Sequence, residues 1–161
     1  MKEIIIRSIK KTDNAALAAV IRNTLKEFGA NRPGTVYFDE STDHLFELFQ
    51  TEGSHYFVAL EGESILGGAG ISPSAGLPDK TAELVKMYLI PESRNKGIGR
   101  QLIARCLDFA KAAGYEQVYL ETMPELKKAI HVYEKNGFEY LKGPLGNTGH
   151  FGCAIWMVKR I

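Results

Sequence analysis

Cysteine is scarce in this chain. Cys106 and Cys153 are its two cysteines, and they do not stand at CxxC spacing. A disulfide framework and a Cys-based structural zinc site are therefore excluded as organising devices. The usage fits a reducing compartment. Long apolar runs are missing as well. Ile4-Ile5-Ile6 near the N-terminus is far shorter than a signal-peptide core. No later stretch approaches the roughly 20 apolar residues of a membrane helix. An excess of one charge is also missing, since 20 Lys and Arg face 19 Asp and Glu for a net charge of +1. A chain that coats a polynucleotide carries a basic excess. The expectation is no nucleic-acid partner and no membrane. His44, His55, His131 and His150 make no HExxH or other metal spacing, and no G-x-S-x-G elbow is present. No metal site is expected.

What remains is ordinary globular material. The 161 residues are 45% apolar and 24% charged. That supports one core, so a single domain spanning 1–161 is expected, soluble and cytoplasmic. A strand is predicted over 3–9. Thr12 and Asp13 offer N-cap chemistry for a helix carrying Leu17, Val20, Ile21, Leu25 and Phe28, with Gly29 as its stop. A second, shorter helix is predicted from Ser41 through Phe49. Strands follow over 55–60 and 65–71 around a Glu61–Ser64 turn. Gly67, Gly68 and Gly70 in the second of these point to a bulge or a close backbone neighbour. A further strand spans 81–90 and ends at Pro91.

Helical spacing returns with Ile98, Leu102, Cys106, Phe109 and Ala113, closed by Gly114. Cys106 on this stripe reads as packing. Residues 118–120 are a strand. Thr122 and Glu125 match a capping box for a helix with Leu126, Ala129, Ile130 and Tyr133 on one face. Asn136-Gly137 ends that helix, and Phe138 is placed to pack back on its last turn. Two final strands are predicted over 138–141 and 153–159. Between them Gly143, Gly146, Gly149 and Gly152 space a long loop, and a loop of that length is more often functional or mobile than idle. His150 within it is a candidate substrate contact, and Cys153 is core or site. The element order is that of a mixed sheet with helices on its faces.

The stretch Glu83 to Arg100 carries the chemistry. A strand ends, a polar turn follows, and glycines open a helix. Helix N-termini leave N–H groups unpaired with partial positive charge, and glycine lets a phosphate approach them. Arg94, Lys96 and Arg100 add positive charge. The residues suit a pyrophosphate; a tight strand-to-helix turn with a solvated basic face is the plain alternative. A Walker sequence is absent. The dinucleotide pattern G-x-G-x-x-G fails at its third glycine, where Leu102 stands, although Glu121 lies at the distance of its ribose partner. That nucleotide-binding oxidoreductase reading is a weak alternative.

The pattern that does match is R-x-x-G-x-G at Arg94, Gly97 and Gly99. With Tyr133-Glu134-Lys135-Asn136-Gly137-Phe138, which matches Y-E-x-x-G-F, the chain resembles the GNAT superfamily of acetyl-CoA-dependent N-acetyltransferases. The two motifs cover about residues 81–140, and the element order extends the resemblance over essentially the whole chain. The resemblance implies an α/β (α+β) fold with a mixed, mostly antiparallel central sheet flanked by helices on both faces. It implies acetyl-CoA as cofactor. Backbone groups of Met87, Tyr88 and Leu89 would bond the pantetheine arm. The turn Asn95, Lys96, Gly97, Ile98, Gly99 and Arg100 would hold the pyrophosphate. Tyr133 would protonate the departing thiolate. Leu126 stands where many members carry an asparagine contact. Pairing of the C-terminal strands in a homodimer follows from fold analogy alone.

Acetyl transfer needs a neutral amine. A lysine-like amine with pKa of about 10.4 is neutral so rarely at pH 7 that the penalty is roughly 4.6 kcal/mol. A carboxylate can take the proton directly or through water. Glu83, on the strand before the turn, resembles the base of the histone-acetylating branch. Glu121, ending the next strand, resembles the base of ribosomal-protein N-terminal acetyltransferases. Each reads equally as a strand-end carboxylate paired with a lysine, and water can relay the proton with neither. Tyr133 reads otherwise as a core aromatic. The expected function is acetylation of a small-molecule or amino-acid-like primary amine by direct attack. The acceptor site would be built from 26–40 and 143–152. Acetylation of a protein or peptide, and acyl-CoA sensing without turnover, are the alternatives.

Overall fold

The computed structural model describes residues 2–146 and 154–161. The strands are β1 (Ile4–Ser8), β2 (His55–Glu61), β3 (Ser64–Ser72), β4 (Thr81–Leu89), β5 (Gln117–Thr122), β6 (Glu139–Leu141) and β7 (Ile155–Arg160). The α-helices are α1 (Asn14–Glu27), α2 (Leu45–Leu48), α3 (Ile98–Ala112) and α4 (Lys127–Lys135). The sheet runs β1-β2-β3-β4-β5-β7-β6. Every neighbouring pair is antiparallel except β4 and β5. This is the mixed, mostly antiparallel sheet the sequence led us to expect.

Both faces of β2 are buried, and its alternation shows why. Phe57 and Ala59 point to a core shared with Ile98, Leu102, Ile103, Cys106 and Ala110 of α3. Tyr56, Val58 and Leu60 point to the opposite core, with Leu17, Ile21 and Leu25 of α1. The strand therefore reads as a continuous apolar run, as strands covered on two faces do. The stripe of α3 drifts from the expected one. Ile103 and Ala110 are buried, whereas Ala113 lies past the helix end and is exposed.

Glycine ends three helices in the same way. After α4, the Gly137 N–H donates to Glu134 O (3.1 Å) and the Phe138 N–H to Tyr133 O (3.1 Å). Gly137 has φ of +88°, which only glycine adopts without strain. The Phe138 ring then meets the Tyr133 ring edge-on at 6.0 Å. The Y-E-x-x-G-F sequence is thus a helix stop that aims its own tyrosine. Gly29 and Gly114 close α1 and α3 with equivalent bond pairs.

Three local expectations are corrected. The helix expected from Ser41 is a 3-10 turn, Glu40–Asp43, followed by the single α turn of α2. The capping box at Thr122 and Glu125 does not form. Thr122 is the last residue of β5, α4 begins only at Lys127, and Glu125 instead pairs with Arg32 at 3.1 Å. Pairing with Ile155 keeps Thr122 in the sheet, and ladder bonds outweigh a cap.

Asp13, the third case, does not cap α1 with its side chain. Its carboxylate accepts from the Lys10 N–H (2.7 Å) and from both terminal nitrogens of Arg7 (2.8 and 3.1 Å), tying β1 to the start of α1. Burial pushes the Asp13 carboxyl up, but the Arg7 hydrogen bonds, the Lys10 N–H and both positive charges pull it below its ordinary value. A depressed carboxylate stabilises fully above its unfolded pKa of about 3.9, and that contribution is lost as pH falls through the lower folded value. Asp13→Asn is expected to lower stability by about 1–3 kcal/mol at pH 7. Below about pH 4 its melting temperature should converge on that of the wild type. Thermal unfolding at pH 7 and at steps down to pH 2 checks this; a constant gap would show that the carboxylate charge is not what matters.

Candidate active site

β4 and β5 pair only over Thr81–Glu83 with Gln117–Tyr119. Beyond that point the strands part, and the site occupies the gap. A bulge in β4, on its β3 side, follows within the gap. Gly68 faces Tyr88 and Gly70 faces Val85, so Ala69 alone on β3 is opposed by Lys86 and Met87 on β4. Lys86 takes a left-handed φ of +54°. The Tyr56 hydroxyl, fully buried, donates to Lys86 O at 2.8 Å and secures the bulge.

The extra residue shifts the alternation. Leu84 packs toward α3 and Val85 toward α1, yet Met87 and Leu89 return to the α3 side and Tyr88 to the α1 side. Unbroken alternation would send Lys86 and Tyr88 into the α3 core.

A cleft of about 370 Å³ opens along the far half of β4. Met87, Tyr88 and Leu89 form one wall. Arg94, Asn95, Gly97, Ile98, Gly99 and Arg100 line its end. Asn95 (φ +62°) and Gly97 (φ +78°) are both left-handed. Alternating conformations of this kind turn successive N–H groups toward an anion. A Cβ on Gly99 would come within 3.8 Å of Leu89 and 4.0 Å of Met87, narrowing the cleft there.

Lys96 is exposed and does not line the cleft. The Arg94 guanidinium is engaged elsewhere. It donates to both carboxylate oxygens of Glu27 (2.8 and 3.0 Å), twice to Leu89 O (3.1 and 2.9 Å), and lies 5.2 Å from the Phe28 ring centre. It thereby clamps the end of α1 to the end of β4. Sequence reasoning missed Thr24 of α1, Phe28 just past its end, and Lys127, Lys128 and His131 of α4, all of which line the cleft. The adjacent lysines opening α4 were a legible cationic signal; Thr24 and Phe28 carried none.

A second, smaller pocket of about 40 Å³ meets the cleft at Met87, Tyr88 and Leu126. Glu83, Lys86, Glu121 and Tyr133 line it. Both carboxylates are held by hydroxyls. Ser74 Oγ donates to Glu83 Oε1 at 2.5 Å, and the Tyr119 hydroxyl donates to Glu121 Oε2 at 2.6 Å. Burial and the Glu121 hydrogen bond push the Tyr119 phenol far above its ordinary value, so it stays a donor. The Leu145 N–H in turn donates to the Tyr119 oxygen at 3.3 Å. The start of the glycine-spaced loop therefore reaches the Glu121 network. The rest of that loop, with His150, and Cys153 lie outside the described residues.

Cys106 is fully buried, and burial pushes its thiol far above the ordinary range, which leaves it inert. Among the described residues no helix is long and apolar enough to cross a membrane.

The family model described as Acetyltransferase (GNAT) family matches residues 21–138. This chain belongs to that family. It is 36% identical over 159 residues to Uncharacterized N-acetyltransferase YjgM of Escherichia coli K12, covering 98% of this chain and 95% of that protein. The solved GNAT acetyltransferase of Staphylococcus aureus Mu50 shares the fold at a TM-score of 0.86 with 19% identity, over 98% of this chain and 99% of its own. The PaiA N-acetyltransferase of Thermoplasma acidophilum, solved with coenzyme A, superposes at 0.77 with 21% identity, over 99% of each chain. GNAT membership makes the chain an acetyltransferase.

Proposed function

We propose that this acetyltransferase, acting as one domain over 1–161, moves the acetyl group of acetyl-CoA directly to a primary amine of a small, amino-acid-like acceptor. The observation that carries the reading is the small pocket holding Glu83, Glu121 and Tyr133 where it meets the long cleft at Met87 and Tyr88.

The cleft fits coenzyme A chemically. Its left-handed Gly97, beside which a Cβ would meet nothing within 4 Å, and the cations Arg100, Lys127 and Lys128 suit a pyrophosphate. The main chain of Met87, Tyr88 and Leu89 would hold the pantetheine arm, and the turn from Asn95 to Arg100 the pyrophosphate. Bound acetyl-CoA supplies an activated acetyl thioester. One carboxylate, Glu83 or Glu121, takes the proton from the acceptor nitrogen. The Tyr133 hydroxyl gives a proton to the departing sulfur, and the low basicity of a thiolate keeps that demand modest. Among the described residues, no cysteine lines the cleft or the small pocket. The small volume supports a small acceptor over the tail of a folded protein.

Thiol release from acetyl-CoA against amines, amino acids and peptides tests the proposal, with Tyr133→Phe alongside. Release should depend on one acceptor class. Phenylalanine at 133 should lower kcat about 100-fold while leaving acetyl-CoA affinity intact, since Tyr133 does not line the long cleft. An unchanged kcat removes the tyrosine from the acid role. Tight binding with no release favours a sensor, and no binding at all sinks the proposal.

A further inference from the structure

We infer that the acceptor bears an acidic group beside its amine and that Lys86 anchors it. This rests on the acetyl-transfer reading above and concerns its acceptor side. Lys86 sits at a φ of +54°, where a residue with a Cβ is strained and glycine is not. The geometry of the bulge therefore does not ask for lysine. What the bulge does is carry this side chain out of the α3 core and toward the α1 face, into the pocket with Glu83, Glu121 and Tyr133.

There the Lys86 side chain is 5% exposed. Its ion-pair partner, Asp39, stands 3.9 Å away and is itself 34% exposed. That separation is too long for a hydrogen bond. A buried ammonium is tolerated when anions both pair with it and accept its protons. Asp39 supplies the first without the second. A carboxylate entering the pocket would complete the set with short, charge-assisted bonds. Burial draws the Lys86 pKa below its ordinary value, against the pull of the Asp39 and Glu83 charges, and an entering carboxylate would oppose that fall.

The pocket thus presents a cation and two carboxylates within one strand gap. Glu83 and Glu121 favour the acceptor's ammonium, and Lys86 favours its acidic group. A zwitterion matches both. A carboxylate-free diamine or polyamine would bring a second positive charge against a desolvated ammonium, and the site discriminates against it.

The test uses the whole protein with acetyl-CoA. The probes are the free amino acids, β-alanine and γ-aminobutyrate, each beside its amide and its carboxylate-free amine. The acids should be preferred about 10- to 100-fold in kcat/KM. Lys86→Met should collapse that preference toward one, chiefly through KM. Asp39→Asn should preserve or raise it, because it removes the competing anion. A merely structural pair predicts instead that both variants lose activity on acids and amides alike. That result overturns the inference, as does equal use of acids and amides by the wild type. If Lys86→Met fails to fold, the wild-type preference and the sign of the Asp39→Asn effect decide. A panel wholly silent while acetyl-CoA binds overturns the inference and leaves the cofactor cleft standing. Absence of acetyl-CoA binding overturns the reading beneath it.

Discussion

The Glu83→Gln/Glu121→Gln double variant should lose about 10²- to 10⁴-fold in kcat on an amine acceptor, the range of a positioned general base. The single variants should divide unequally, one carrying nearly the whole loss. The physical reason is the amine. With a pKa near 10.4 it is protonated at pH 7, and a proton must leave before the nitrogen can attack. Glutamine keeps the shape and the acceptor oxygen but cannot take that proton. Both carboxylates line the small pocket and neither lines the long cleft. Acetyl-CoA affinity should therefore stay within a few-fold of wild type. Steady-state kinetics on an acceptor found in the thiol-release panel, with calorimetric titration of the cofactor, read the two separately. A double variant with unchanged kcat would hand the proton to solvent.

Gly67→Ala is the second large effect. Gly67 on β3 has φ of +149°, and a Cβ there would fall on the Tyr88 carbonyl oxygen and lie 2.9 Å from Leu89 Cα. Those neighbours are main chain, so they cannot rotate away. The strain must move β4 where it forms the wall of the cleft. A destabilisation of about 3 kcal/mol or more is expected, which for a chain of this size is a fall in melting temperature on the order of 10 °C. Gly97→Ala is the contrast. A Cβ at Gly97 meets nothing within 4 Å, so only its φ of +78° resists. Its cost should be about 1 kcal/mol. Thermal unfolding of the two variants side by side checks the order; equal losses would mean that contact with β4 is not what demands glycine at 67.

The sequence was most legible where structure is local. Leu17, Ile21 and Leu25 repeat at helical spacing, and they are the buried face of α1. Asn136-Gly137-Phe138 spells a helix stop because its bonds close within six residues. Gly67, Gly68 and Gly70 announced a close neighbour, and Tyr88, Tyr56 and Phe49 are the atoms that would meet their Cβ positions. Local reading failed where two local preferences competed. Thr122 and Glu125 carry the right residues for a cap, yet the β7 ladder claims Thr122 first.

Periodicity, glycine placement and two short motifs determined the element order, the sheet-and-helix class and the family from the chain alone. Each of these depends on residues within a turn or two of one another, where sequence spacing and spatial spacing are the same thing. The tertiary structure decided the rest. Arg94 reads as an anion ligand in sequence, but its partner Glu27 lies 67 residues away and only folding brings it to 2.8 Å. Lys86 reads as an ordinary strand lysine. A single unpaired residue opposite Ala69 reverses the face it shows, and register between strands is set by the contacts of the whole sheet rather than by either strand.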